Sequence, residues 1–554
     1  MALGCVAILG CSFSTKLTPN GGDDAAVDAS IDAPPASPSV RFTSITSAQA
    51  QLRPGLYGFE VVATLRNELA NPITNLAVTL TFNEGATNRA GDFRWRDVDA
   101  REAVMMLQPQ TIGAGQEAMY RFKVDALPWA VAPGPILING AATFLDGAMP
   151  LSATASTTPL SMELAAMNAP IVVNEATDEA DVDTNICLRE ALVIAGVQPG
   201  LDRIVFDPVV FPPAAPVVSL LSEGLGELNV NSDVVIDGRG AGFILAVDSG
   251  WESPEGRYGM RLNGANVVVS GITFLDLGFN YRNEGDLSSN NCGASNAQLE
   301  GGAIRIDSGQ LVLEGNTFAD PNVGERNCYA ASVRLEGGTR HRILNNTWTD
   351  QSMDAIYVDA STVEISGNLM NAGGNLNKVD ECIFIATQGG APLWITNNIC
   401  VDQEFSAVVA GGTDAGGLFV FHNTFVRDGR LGGSAVQRRN GARAVNLRNN
   451  VYVGNNPAAI AVDNNGNGFN VAFESHTGSP LFSGTSTGAT VNTGSILNPG
   501  DAGLVDANGA TRALLAPVAA SPLVGSGVDL LDVNGSTPNH YNGSGPERGA
   551  VELP

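Results

Sequence analysis

The side chains best suited to chemistry lie between positions 354 and 381: Asp354, Lys378, Asp380 and Glu381, with Arg334 a short way upstream. Removing the proton alpha to a uronate carboxylate takes a base, and a cation or metal to steady the enolate that forms. Lys378 suits the base if its neighbours lower its pKa. The same acids would serve a glycosidase, whose two carboxyls flank the scissile bond at a separation that distinguishes its outcome. Against these stands the commoner fate of a loop lysine and loop acids, which is to face water.

A second constellation suits binding. Arg261, Arg305 and Arg334 recur at equivalent positions, followed by Tyr357 and Phe384 and then by Ala410 and Arg438. Two positions further on come Asn263, Asp307, Glu336, Asp359 and Ala386. Stacked guanidinium forks suit the carboxylates of an acidic polysaccharide, and aromatic rings suit sugar faces. Alternatively, Arg305 and Arg334 pair with Asp307 and Glu336 as surface ion pairs worth ~0–1 kcal/mol each.

Metal chemistry has little support. The seven cysteines form no CxxC pair and the four histidines are scattered, so no zinc site is expected. No cofactor is expected either, and calcium only if the protein is a lyase. Asp463 to Glu474 fits a calcium-loop template. The intervening Phe469-Asn470-Val471-Ala472-Phe473 reads as a strand, which would hold the two acids roughly 15 Å or more apart. That segment is a turn. Cys292 and Cys328 fall in polar stretches and suit either an exported disulfide or two unpaired thiols.

The elements that must carry these residues form an array. The template Leu311-Val312-Leu313-Glu314-Gly315-Asn316-Thr317-Phe318 returns around Asn346, Asn368, Asn398, Asn423 and Asn450, at spacings of 30, 22, 30, 25 and 27 residues. Such a period means one supersecondary unit stacked on copies of itself. The residue before each asparagine is Gly315, Asn345, Gly367, Asn397, His422 or Asn449, types that tolerate left-handed backbone. Each coil therefore turns sharply there, and the asparagines satisfy one another as a buried structural ladder. Phe274, Phe318, Trp348, Met370, Cys400, Phe425 and Tyr452 stack inside. Together these describe an all-β chain built on a right-handed parallel β-helix.

The rest of the chain is organised around it. Residues 40–165 alternate in seven or eight short strands with turns between, as in an immunoglobulin-like β-sandwich. Residues 170–258 supply a cap helix, with Thr184 or Asn185 as its cap, and the opening coils. The repeats occupy 259–480, and 481–554 close the chain. Residues 1–11 end in Leu9-Gly10-Cys11, and 12–39 are acidic, Ala/Pro/Ser-rich and aperiodic, as a disordered tether is. Residues 1–11 resemble a bacterial lipoprotein signal, with Cys11 the acylated residue; an ordinary cleaved signal or an unprocessed start are the alternatives.

Ile186-Cys187-Leu188-Arg189-Glu190-Ala191 resembles the Cys-Ser-Leu-Arg-Glu-Ala motif that opens a family of bacterial surface proteins with pectate-lyase-like β-helices. Phe206-Asp207-Pro208 and Val234-Val235-Ile236-Asp237-Gly238 are similar to the family's opening strands. Ser521-Pro522-Leu523 and Glu547-Arg548-Gly549-Ala550 are similar to its anchor-associated closing segments. The resemblance implies the β-helical architecture and carries almost no activity.

Composition limits the partners. A net charge of −27 over 554 residues opposes nucleic-acid binding, and no apolar run is long enough to span a bilayer. The sequence thus points to an exported monomer held at the outer membrane or cell surface by a lipid. It favours a binding, adhesive or structural protein, with a polysaccharide or cell-envelope glycan as partner. A polysaccharide lyase or hydrolase acting on acidic glycans is the alternative.

Overall fold

The computed structural model describes residues 39–551 apart from 50, 98–110, 131, 181–183, 248–257, 264–265, 276, 278–301, 320–330, 352–353, 360–361, 374–380, 388–392, 404, 412–416, 430–432, 439–444, 457, 462–468, 479, 484–489, 492–495 and 529–546. After an opening strand at Ile171–Val173, the chain winds from Asp202 through three parallel sheets in strict rotation, as a right-handed β-helix. The first sheet takes twelve described strands, from Ile171–Val173 to Thr490–Val491. The second runs from Val217–Leu221 to Ser475–Thr477, and the third from Leu228–Val230 to Phe482–Ser483. One apolar core fills the lumen, with Phe274, Phe318 and Trp348 stacked at 4.9 and 4.6 Å between centroids.

The corner between the first and second sheets is the same in six successive repeats. Gly315, Asn345, Gly367, Asn397, His422 and Asn449 all have φ between 54° and 71°, and the next residue is a buried asparagine. Asn368 shows the bonding. Its Oδ1 accepts from the Asn346 main-chain N–H (2.9 Å) and Nδ2 (3.1 Å), while its own Nδ2 donates to Ile343 O (2.8 Å) and Asn398 Oδ1 (2.9 Å). The pattern repeats from Asn316 to Asn450.

The open N-terminal end is covered by the helix Leu188–Val197, which buries Leu188, Ala191, Leu192 and Ala195. It starts later than Thr184 or Asn185 would set it. Cys187 is the N-cap, and its N–H donates to Glu190 Oε2 at 2.9 Å in a capping box. Arg189 fastens the cap through Asp178 (2.8 and 2.9 Å) and the carbonyls of Leu225, Gly226 and Glu227.

The N-terminal region is a two-sheet antiparallel sandwich of nine described strands, against the seven or eight that the sequence suggested. Phe82, Phe122, Leu65 and Ile138 fill its centre. It seats on the outer face of the first sheet. Tyr57 packs with Val235, Val268, Val312 and Leu344, and Gly55, at φ 77°, approaches so closely that a Cβ would lie 3.1 Å from Val268. Around this apolar contact runs a buried ionic net in which Arg94 alone is partly exposed. Arg94 meets Glu314 (2.6 Å) and Asp125 (3.2 Å), and Arg342 meets Asp125 (2.7 Å) and Glu364 (2.8 Å).

The C-terminal segment lies on the second sheet. Ala502, Leu515, Leu523 and Ala550 pack against Ile399, Val401, Val426 and Val451. Arg512 donates to the carbonyls of Gly367 (2.8 Å) and Asn397 (3.2 Å), and Gly549 N–H to Asn449 O (2.7 Å).

Two outcomes check this construction. Asn368→Leu removes a buried donor and acceptor from its neighbours and should destabilise the helix by ~1–3 kcal/mol in denaturant unfolding; a neutral result would refute the ladder as a stabilising element. Arg342→Ala removes the guanidinium that bridges Asp125 and Glu364. The expected loss is about 3 kcal/mol, and an unchanged unfolding curve would show that the net contributes nothing to docking.

Candidate functional site

The contacts of the sandwich fall on the first sheet and those of the C-terminal segment on the second. The outer face of the third sheet carries the residues that the sequence aligned for binding. Arg261 is registered with Arg305, Arg305 with Arg334, Arg334 with Tyr357 and Tyr357 with Phe384. Beyond Phe384 the column differs from the expectation. The next partners are Val409 and Gln437, because Ala410 pairs with Ile385 and Arg438 with Ala410. Arg438 is buried. Loop lengths between the second and third sheets vary from coil to coil, so counting across them slipped by one residue.

The arginines do not stand as an uncompensated basic stripe. Arg261 meets Asp307 (2.7 Å) and Glu227 (3.9 Å), Arg305 meets Asp307 (2.8 Å) and contacts Glu336, and Arg334 meets Glu336 (2.5 Å). Three guanidiniums and three carboxylates alternate along one face. Burial alone would raise the Asp307 carboxyl, but hydrogen bonds and charge from Arg305 and Arg261 outweigh it and hold it below its usual value. The same acids lift Arg305 against the lowering effect of burial. The row then becomes aromatic. The Arg334 guanidinium lies 4.2 Å from the Tyr357 ring centroid, and Tyr357 stacks on Phe384 at 5.5 Å with 12° between planes.

The acid–base candidates are less well assembled. Asp354 and Glu381 occupy adjacent coils at the same edge of the third sheet and both are buried. Asp354 Oδ1 accepts the Glu381 main-chain N–H at 3.0 Å, and Gln351 Nε2 donates to Glu381 O at 3.2 Å. This bonding pattern is that of a coil-to-coil fastening. Lys378 and Asp380 lie outside the described residues, as do Cys11, Cys292, Cys328 and Asp463. Among the described residues no group of three or more His, Cys, Asp or Glu side chains is placed to hold a metal ion.

Other polar groups that could be taken for site residues are structural. His341, pushed down to about 4 by burial, accepts the Leu311 N–H on Nδ1 (3.1 Å) and bonds Gly337 O through Nε2 (2.6 Å). Cys382 and Cys400 are free thiols inside the lumen, both raised by burial. A second polar ladder, Gln403–Asp428–Asn455, went unnoticed in the sequence. Gln403 N–H donates to Asp428 Oδ1 (3.0 Å) and Asp428 N–H to Asn455 Oδ1 (2.8 Å). Its members are three different residue types, so no repeated letter marks them.

No protein-family model matches the chain, and no curated protein matches it. Among solved structures the chain is similar to a Yersinia enterocolitica family 28 exopolygalacturonase. The match has 9% identity and a TM-score of 0.37, over 83% of this chain and 98% of the other. A likeness at that level says nothing about substrate.

Proposed function

We propose that the protein is an exported, lipid-anchored surface protein that binds glycan, without cleaving it, on the outer face of its third sheet. The observation that supports this reading is the continuous row from Arg261 to Phe384, in which planar charged side chains give way to stacked rings. The row crosses five coils and so extends for roughly 20 Å at the usual strand spacing. That is room for several sugar units lying along the helix axis. Because each arginine already faces a carboxylate, an acidic glycan would compete with internal partners. A hydroxyl-rich neutral glycan would only add to them. The anchor rests on Leu9-Gly10-Cys11 and the acidic tether behind it.

The binding face is tested on immobilised neutral glycans and polyuronates, read for retention, for new reducing ends and for unsaturated product absorbing in the ultraviolet. Retention on neutral glycan with little dependence on salt is expected, and no product. Arg305→Ala combined with Arg334→Ala spares the inward Ile304, Ile306, Val333 and Leu335, so it should keep the fold while retention drops about tenfold or more. Unsaturated product would establish the lyase alternative, and reducing ends alone a hydrolase working from Asp354, Glu381 or the neighbouring Lys378 and Asp380. Neither retention nor product leaves a structural surface protein.

The anchor has its own check. Palmitate label should follow Cys11, and a Cys11→Ala protein that still partitions into membranes would sink the lipid anchor.

A further inference from the structure

The asparagine ladder does not end on an amide. The position after Asn450 holds Glu474, fully buried at 0% exposure. Its Oε1 accepts from the Asn450 main-chain N–H (3.3 Å) and Nδ2 (3.2 Å), and its Oε2 from Asn450 Nδ2 (3.0 Å) and the Tyr452 hydroxyl (2.6 Å). The residue before it, Phe473, sits at φ 56°, in the slot that glycine, asparagine or histidine fills in the other coils. A bulky side chain is disfavoured in that backbone, so the corner is held by its surroundings.

Glu474 is also where the C-terminal segment takes hold. Its main-chain oxygen accepts from Leu497 N–H (2.9 Å) and from Arg548 Nη1 (2.5 Å). The charged and titratable groups around the carboxyl come from three elements. Tyr452 stands on the strand Val451–Val453, Arg448 on Val445–Arg448, and Arg548 on the C-terminal segment. His476 follows on the strand Ser475–Thr477. Both guanidiniums are committed to carbonyls or an amide oxygen: Arg448 to Leu447 O, Asn470 O and Asn470 Oδ1, Arg548 to Glu474 O and Ser526 O. Neither hydrogen-bonds the Glu474 carboxyl.

We propose that Glu474 is a proton-dependent latch: neutral, it closes the ladder and keeps the last coils joined to the C-terminal segment, and its ionisation loosens that junction. A charge formed there has amide and hydroxyl partners but no bonded counter-ion in an apolar lumen. Burial accordingly raises the carboxyl from 4.5 to about 7, against the lowering pull of the Tyr452 and Asn450 hydrogen bonds. The folded protein therefore holds this proton more tightly than the unfolded chain does. Its contribution to stability is complete below pH 4.5 and is withdrawn as pH rises to about 7. Asp233, Asp237 and Asp307 act in the opposite sense. Their pKa values lie below 3.8, so what they contribute is lost only in stronger acid. The two effects occupy different pH windows.

The test is hydrogen exchange of the full chain between pH 5 and 8, corrected for the intrinsic base dependence of exchange. Amides of residues 450–453, 474–477 and 497 should lose protection at least tenfold across that range relative to the coils around Asn346. Glu474→Gln, which keeps an acceptor for Asn450 and cannot ionise, should flatten the profile. Tyr452→Phe removes a bond that favours the charged form and should move the transition to higher pH. Protection in the parent that does not change with pH would overturn the latch, as would an equal slope in Glu474→Gln. If that variant does not fold, an unmoved transition in Tyr452→Phe overturns it instead.

Discussion

A backbone that turns a corner within two residues leaves a main-chain N–H pointing into an apolar lumen. Everything else in this molecule depends on how that donor is answered. From Ile272 to Asn423 the answer is an amide oxygen from the next coil, as when Asn368 Oδ1 accepts the Asn346 N–H; at Asn450 it is the Glu474 carboxyl. The Asn368 side chain also reaches back to a carbonyl of the preceding coil. One residue type thereby satisfies a buried donor and a buried acceptor and fixes the height of one coil over another. The hydrophobic column of Phe274, Phe318 and Trp348 then finds its partners in register.

A stack of this kind has three faces and two ends, and the chain spends most of its non-repeating length covering them. The helix Leu188–Val197 blocks the first end, where an unpaired sheet edge would otherwise invite another strand. The sandwich lies on the first sheet through Tyr57 and the ionic net of Arg94, Asp125, Glu314 and Arg342. The terminal segment lies on the second. The outer face of the third sheet carries the row from Arg261 to Phe384, in which Asp307 and Glu336 are each shared by two arginines. That sharing makes the row a charge-balanced polar and aromatic surface.

The array was legible because its signal is local. A left-handed residue followed by asparagine recurs within a short template, and the outward column from Arg261 to Phe384 follows once the templates are aligned. The column failed at Val409, where the count had to cross a corner of variable length. Glu474 was within reach, since Phe469 to Phe473 aligns with Val445 to Asn449 and so places Glu474 opposite Asn450. Its change of letter hid it. The docking of the sandwich had no local sign, because Asp125 and Arg342 meet across 217 residues of separation. Nor did the cap: Cys187 can serve as N-cap because Glu190 completes the box, which the usual preference for Thr or Asn does not anticipate.

The grip of the C-terminal segment on the middle of the stack bears on the order in which the chain can mature. Arg512 holds carbonyls of Gly367 and Asn397, so those coils receive these partners only after the chain has run on past them by 145 and 115 residues. Until then a nascent stack of these coils presents Ile399, Val401 and Val426 to its surroundings. A chain cut short before Ala502 would lack Ala502, Leu515, Leu523 and Ala550 and so leave an apolar flank uncovered, which quality-control proteases and chaperones recognise.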